Sequence, residues 1–153
     1  MMEQPGKSTD TAALHGARVL IVEDDVLLLM DLETILRDAG AEIAGGCRNV
    51  EEALAAARNG NVAVAILDVR VGRETIAPVA RQLASRGTPF VFYTGQVEND
   101  PQLAEWAGYT VLSKPARASV IVGALAEILR RRSLTAPAGM LPTACLLYTS
   151  RCV

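Results

Sequence analysis

Ala17-Arg-Val-Leu-Ile-Val-Glu-Asp-Asp25 is an apolar run of strand length that stops on three consecutive carboxylates. A run this short, bounded by charge, reads as a central strand of a parallel sheet, buried on both faces. Its acids then stand at the strand's C-terminal end, where open α/β sheets place their ligands. Three adjacent carboxylates repel one another and attract a cation.

Further along, Val62-Ala-Val-Ala-Ile-Leu-Asp68 is apolar throughout and also ends on a carboxylate. Pro89-Phe-Val-Phe-Tyr-Thr94-Gly95 ends on a hydroxyl and a glycine, and Tyr109-Thr-Val-Leu-Ser-Lys114-Pro115 ends on a lysine. A shorter run, Ala41 to Gly46, closes on two glycines. Five strands are therefore predicted, four of them ending on a group able to do chemistry.

Helical spacing fills the gaps between them. Leu28, Leu29, Leu32, Ile35 and Leu36 share one face of a helix from Val26 to Ala39, which Gly40 stops. Asn49 caps a second helix whose Glu51 and Glu52 lie in the first turn, and Asn59-Gly60 ends it. A third runs from about Glu74 to Ser85, or from Ala77 if Pro78 is confined to the first turn. A weak fourth spans Pro101 to Ala107, and a last helix from Ala116 to Arg132 closes with Arg130, Arg131 and Arg132 at its negative end.

Strands alternating with helices predict a doubly wound α/β fold, a five-stranded parallel sheet in the flavodoxin-like order 2-1-3-4-5 with helices on both faces. In that order the first and third strands are neighbours, so Glu23, Asp24 and Asp68 meet. An oxygen-only set of carboxylates suits a hard dication, which predicts Mg²⁺, with Mn²⁺ as a substitute. A carboxylate beside such an ion can attack an electrophilic phosphorus and become an aspartyl phosphate. Lys114 then supplies a second cation, Thr94 a hydrogen-bond donor, and Gly95 room for phosphoryl oxygens to approach.

Composition narrows the class. Half of the 153 residues are hydrophobic but only 4% are aromatic, which predicts an aliphatic core. A net charge of -2 offers no basic field for a phosphate backbone, so nucleic acid is not expected as a partner. Cys47, Cys145 and Cys152 form no Cys-x-x-Cys pair, and neither a zinc site nor a disulfide framework is indicated. No apolar segment is long enough to cross a bilayer and Met1 to Ala13 lacks a signal-peptide core, so a cytoplasmic protein without membrane contact is expected.

Val22-Glu23-Asp24, the strand-end Asp68, Thr94-Gly95 and Lys114-Pro115 resemble, in order and spacing, the receiver domains of two-component response regulators, over about Ala17 to Arg132. The resemblance implies that Asp68 accepts a phosphoryl group from a phosphohistidine of a sensor histidine kinase or histidine phosphotransfer protein. It implies that Asp24 binds Mg²⁺ directly and Glu23 through water, and that the backbone carbonyl of Arg70 completes the protein ligands. Thr94 and Lys114 would hold the phosphoryl oxygens. A downstream protein would read the switch on the face of the fourth helix, fifth strand and fifth helix, which also leaves a homodimer open. Such a domain is no enzyme beyond its own phosphorylation and dephosphorylation.

Asp25, the extra acid, reads as a helix N-cap rather than a ligand. Where most receivers have Tyr or Phe three residues before the lysine, this chain has Val111. Together with Phe92-Tyr93-Thr94-Gly95, this is similar to mostly stand-alone receivers with a Phe-x-Thr-Gly strand end. Tyr93, or the helix after Gly95, is then the candidate for reading the switch.

Two other readings compete. A pseudo-receiver would use the fold as an interaction surface without phosphorylation. A haloacid-dehalogenase-like phosphatase needs a second Asp two residues after its nucleophile, and Arg70 stands there. Residues 1–16 are polar and predict a disordered tail in which His15, the only histidine, is inert. Residues 133–153 read as linker or non-native tail. One back-translation of Cys145-Leu-Leu-Tyr-Thr-Ser150 spells a transposon-end adapter used in sequencing libraries. That leaves an output domain free to follow in the natural chain.

Overall fold

Apolar runs with side chains needed on both faces become the interior strands of one sheet. The computed structural model describes residues 13–95 and 101–140, with side chains as far as Arg132. Its sheet holds β1 (Arg18–Val22), β2 (Glu42–Cys47), β3 (Val64–Leu67), β6 (Phe90–Thr94) and β7 (Val111–Ser113). The order is β2-β1-β3-β6-β7, the doubly wound order expected, and every pairing in it is parallel. Val19 to Ile21, Val64 to Leu67 and Phe90 to Phe92 are almost wholly buried. That burial is what lets strands without alternating polarity form.

Two layers of helix cover the sheet. On one face α2 (Val50–Asn59) and α3 (Ala77–Ser85) pack Val50, Ala53, Ala57, Val79, Ala80 and Leu83 against Leu20, Leu67, Phe90 and Phe92. On the other, α1 (Val26–Asp38) and α4 (Ala118–Met140) bring Leu29, Leu32, Leu36, Ile121 and Leu125 against Ile21, Ile66, Val91 and Tyr93. Caps follow the sequence: Asp25 accepts from the amides of Leu27 and Leu28, and Asn49 accepts from that of Glu52. Pro78 stands in the first turn of α3, which fixes that helix's start at Ala77, the later of the two starts expected.

Four of the aromatics, Phe90, Phe92, Trp106 and Tyr109, gather in one place. Trp106 is edge-on to Phe90 at 5.6 Å and to Tyr109 at 5.3 Å, and Tyr109 stacks on Phe90 at 4.8 Å. They close the core that holds α2 and α3, beside β6.

Four differences from expectation have physical causes. The short helix at Pro101–Trp106 is 3₁₀ rather than α, having one buried anchor, Trp106, and a turn through Gly108 at φ 94°. β4 (Arg70–Val71) and β5 (Glu74–Thr75) form an antiparallel hairpin about Gly72, at φ 65°, where a helix start near Glu74 was one expectation. α4 begins at Ala118 rather than Ala116 and runs on to Met140, past the three arginines expected to close it. Leu14, assigned to the tail, is 1% exposed and is held by its amide donating to Ala39 O at 3.0 Å, while His15 beside it is exposed. The expectations for residues 1–12 and 141–153 lie outside the described residues. Among the described residues no helix is long and apolar enough to cross a membrane.

Candidate functional site

β1 and β3 pair in register from Val19↔Val64 to Val22↔Leu67, so the residues that follow them leave the sheet side by side. The amide of Asp68 donates to Val22 O at 3.0 Å and that of Glu23 to Cys47 O at 2.9 Å. Sheet bonding thus continues one residue past the strands and fixes where both carboxylates emerge. Glu23, Asp24 and Asp68 each offer an oxygen within 4.8 Å of the others. Glu23 is buried at 2% exposure and Asp68 at 8%, while Asp24 is half-buried.

The other two strands bring the polar partners. β6 ends on Thr94, 5% exposed, and its carbonyl accepts from the amide of Lys114 at 2.9 Å, just beyond β7. From there Lys114 Nζ donates to Glu23 Oε1 and to Asp68 Oδ2, both at 2.8 Å. The peptide bond from Lys114 to Pro115 is cis.

Charge governs this pocket. Burial pushes the Glu23 carboxyl above its ordinary value, opposed by bonds from the Lys114 ammonium and the Asp25 amide and reinforced by the charge of Asp68. Burial works against the Lys114 charge, but its bonds to Asp68 and Glu23 outweigh that and hold its pKa above the ordinary value. One lysine bonds two of the three clustered carboxylates, which leaves the pocket acidic. The three acids offer only carboxylate oxygens as ligands, so they fit a hard dication such as Mg²⁺.

The polar residues singled out at the strand ends therefore stand on one rim: Glu23, Asp24, Asp68, Thr94 and Lys114. Asp25 is apart, its Oδ1 engaged with Leu27 and Leu28 as the α1 cap. Arg70 lies on β4, two positions after Asp68, paired with Thr75.

Sequence reasoning missed two contacts. The amide of Gly72 donates to Asp24 Oδ2 at 2.9 Å, so the hairpin turn leans on the acidic cluster. Tyr93 Oη accepts from the amide of Ala116 at 3.1 Å, and the Tyr93 ring centroid is 5.6 Å from Lys114 Nζ. Nothing in sequence spacing signals either, although a Gly between hairpin-length polar runs is a turn signal.

Comparison with known proteins agrees with this geometry. The chain is 34% identical over 142 residues to the transcriptional regulatory protein PdtaR of Mycobacterium tuberculosis, covering 90% of this chain and 69% of that protein. The solution structure of SdrG from Sphingomonas melonis Fr1 is 38% identical with a TM-score of 0.64, covering 76% of this chain and 98% of that one. The response regulator PhyR from Brucella abortus shares the fold at a TM-score of 0.71 and 20% identity, over 89% of this chain and 57% of PhyR. Residues 19–126 match the family model of the response regulator receiver domain. Those residues contain all four polar strand ends, and with them the chain belongs to the receiver domain family of two-component response regulators.

Proposed function

We propose that the chain is a phosphorelay receiver: Asp68 takes a phosphoryl group from the phosphohistidine of a sensor histidine kinase or histidine phosphotransfer protein and thereby changes how a partner protein binds. The observation that supports this most is the Lys114 ammonium bonded at 2.8 Å to both Glu23 and Asp68 above a three-carboxylate cluster, with Thr94 at the adjacent strand end. A pocket that pairs acids able to hold a dication with a cation and a hydroxyl suits transfer of a doubly charged group.

In this reading an Asp68 carboxylate oxygen bonds to phosphorus as the phosphorus–nitrogen bond breaks and its electron pair stays on the donor imidazole. Lys114 and Thr94 hold phosphoryl oxygens on the side facing β7. Asp24, Glu23 through water, Asp68 and the backbone carbonyl of Arg70 hold Mg²⁺, or Mn²⁺ in its place. When bound, the ion offsets charge on the phosphoryl oxygens. The protein works in the cytoplasm, and its target reads the face of the 3₁₀ helix, β7 and α4, where Tyr109 and Val120 are exposed. Phosphorylation acts there by shifting a pre-existing equilibrium, with a coupling of about 1–3 kcal/mol.

Mass spectrometry of the full chain after acetyl phosphate with Mg²⁺ tests the reading. A phosphoryl adduct on wild type that is lost in Asp68→Asn is expected. No adduct on wild type, or the same adduct in both, overturns it and favours a phosphorylation-independent interaction module.

A further inference from the structure

Lys114 stands on a corner, between the end of β7 and the start of α4, where a long side chain is ordinarily free to swing. Here the corner is tied twice to the end of β6. The amide of Lys114 donates to Thr94 O at 2.9 Å, and the amide of Ala116 donates to Tyr93 Oη at 3.1 Å. Tyr93 and Leu112 are paired in register, so the tyrosine reaches past β7 to the residue two positions beyond the lysine. Its ring lies 5.6 Å from Lys114 Nζ, within cation–π range, and the residue is 5% exposed.

Tyr93 cannot easily move. It is part of the core between the sheet and helices α1 and α4, beside Val91, Ile121 and Leu125. Its hydroxyl satisfies an amide that precedes the first turn of α4, and its ring favours a cation above it. One contact holds the backbone two residues past Lys114, and the other faces its ammonium directly.

We infer that Tyr93 is a positioning residue: by holding the Ala116 amide and facing the Lys114 ammonium, it keeps that ammonium on Asp68 and Glu23. The inference rests on the phosphoacceptor reading only for its effect on phosphorylation; the restraint on Lys114 is independent of it.

The test uses the full chain with Tyr93→Phe, which keeps the buried ring and removes the acceptor, each in wild-type and Lys114→Ala backgrounds. By NMR, the Ala116 amide of Tyr93→Phe is expected to exchange roughly fivefold faster, the weight of one neutral hydrogen bond. The two ε-protons of Lys114, non-equivalent while the ammonium is held, converge. Phosphorylation by acetyl phosphate slows roughly threefold to tenfold, and the same substitution costs nothing further in the Lys114→Ala background. Unchanged exchange and unchanged ε-protons in Tyr93→Phe overturn the inference, as does an equal slowing in both backgrounds. If wild type takes no phosphate, the phosphoacceptor reading fails, and the two NMR readouts still decide the role of Tyr93.

Discussion

The amide of Gly72 donates to Asp24 at 2.9 Å, joining the end of the first strand to the turn of a hairpin 48 positions later. An acid expected to hold a dication is thus also the support of the loop that follows Asp68. A metal drawing electron density from Asp24 weakens what that carboxylate offers the amide.

Mg²⁺ titration of the ¹⁵N-labelled protein is therefore expected to move the Gly72 amide resonance and to speed hydrogen exchange over residues 70–75. A saturating shift at Glu23 and Asp68 with Gly72 unmoved would show that the turn is indifferent to the ion.

Asp24→Asn is expected to raise the melting temperature in the absence of divalent ions by roughly 2–4 °C, about 0.5–1 kcal/mol, by removing one like charge while keeping an acceptor for Gly72. It is also expected to abolish the further rise that Mg²⁺ should give wild type. Thermal melts with and without Mg²⁺ check both; a lower melting temperature without ions contradicts the repulsion argument.

Lys114→Ala strands Glu23 and Asp68 without their shared cation. Urea unfolding should show a loss of about 1–3 kcal/mol, reduced by added Mg²⁺. The folded pKa of Lys114 lies above its ordinary 10.5, so its contribution is complete below that value and fades only as pH rises through the higher folded one. The loss is then the same at about pH 7 and about pH 9. A loss that shrinks over that interval would mean the ammonium is not held.

Cys47 is 5% exposed between β2 and the α2 layer, and burial, with the charge of Glu52, pushes its thiol up to about 11. Because the folded value exceeds the ordinary 9.0, the stability tied to the protonated thiol is complete below 9.0 and lost as pH rises through about 11. Iodoacetamide at about pH 8, read by peptide-resolved mass spectrometry, should leave Cys47 unlabelled until denaturant unfolds the chain. Labelling at the rate of a free thiol in the folded protein rules this out.

The sheet and its rim were legible because the interior strands β1, β3 and β6 and the edge strand β7 are runs that stop at a polar group: Glu23, Asp68, Thr94, Lys114. Periodicity and caps located α1 and α2 to within a residue. The β4–β5 hairpin was not legible, since its strands are two residues long and too short for alternation to show. Leu14 was assigned to the tail because the short stretch before β1 is too brief to show a period, yet it is buried. The three arginines misled as a stop, because charges that suit a helix end are equally at home on the exposed side of a longer one. Tyr93, expected as a candidate for reading the switch, is a core residue, and that its hydroxyl holds Ala116 depends on how two strand ends meet in space.

Trp106 is the chain's sole indole, and it touches Phe90, Phe92 and Tyr109 under the strand that ends on Thr94. Its fluorescence is consequently a label-free gauge of that end of the molecule. Any rearrangement loosening the 3₁₀ segment from β6 would red-shift the emission, so conformational response can be followed optically before a kinase or a target is identified.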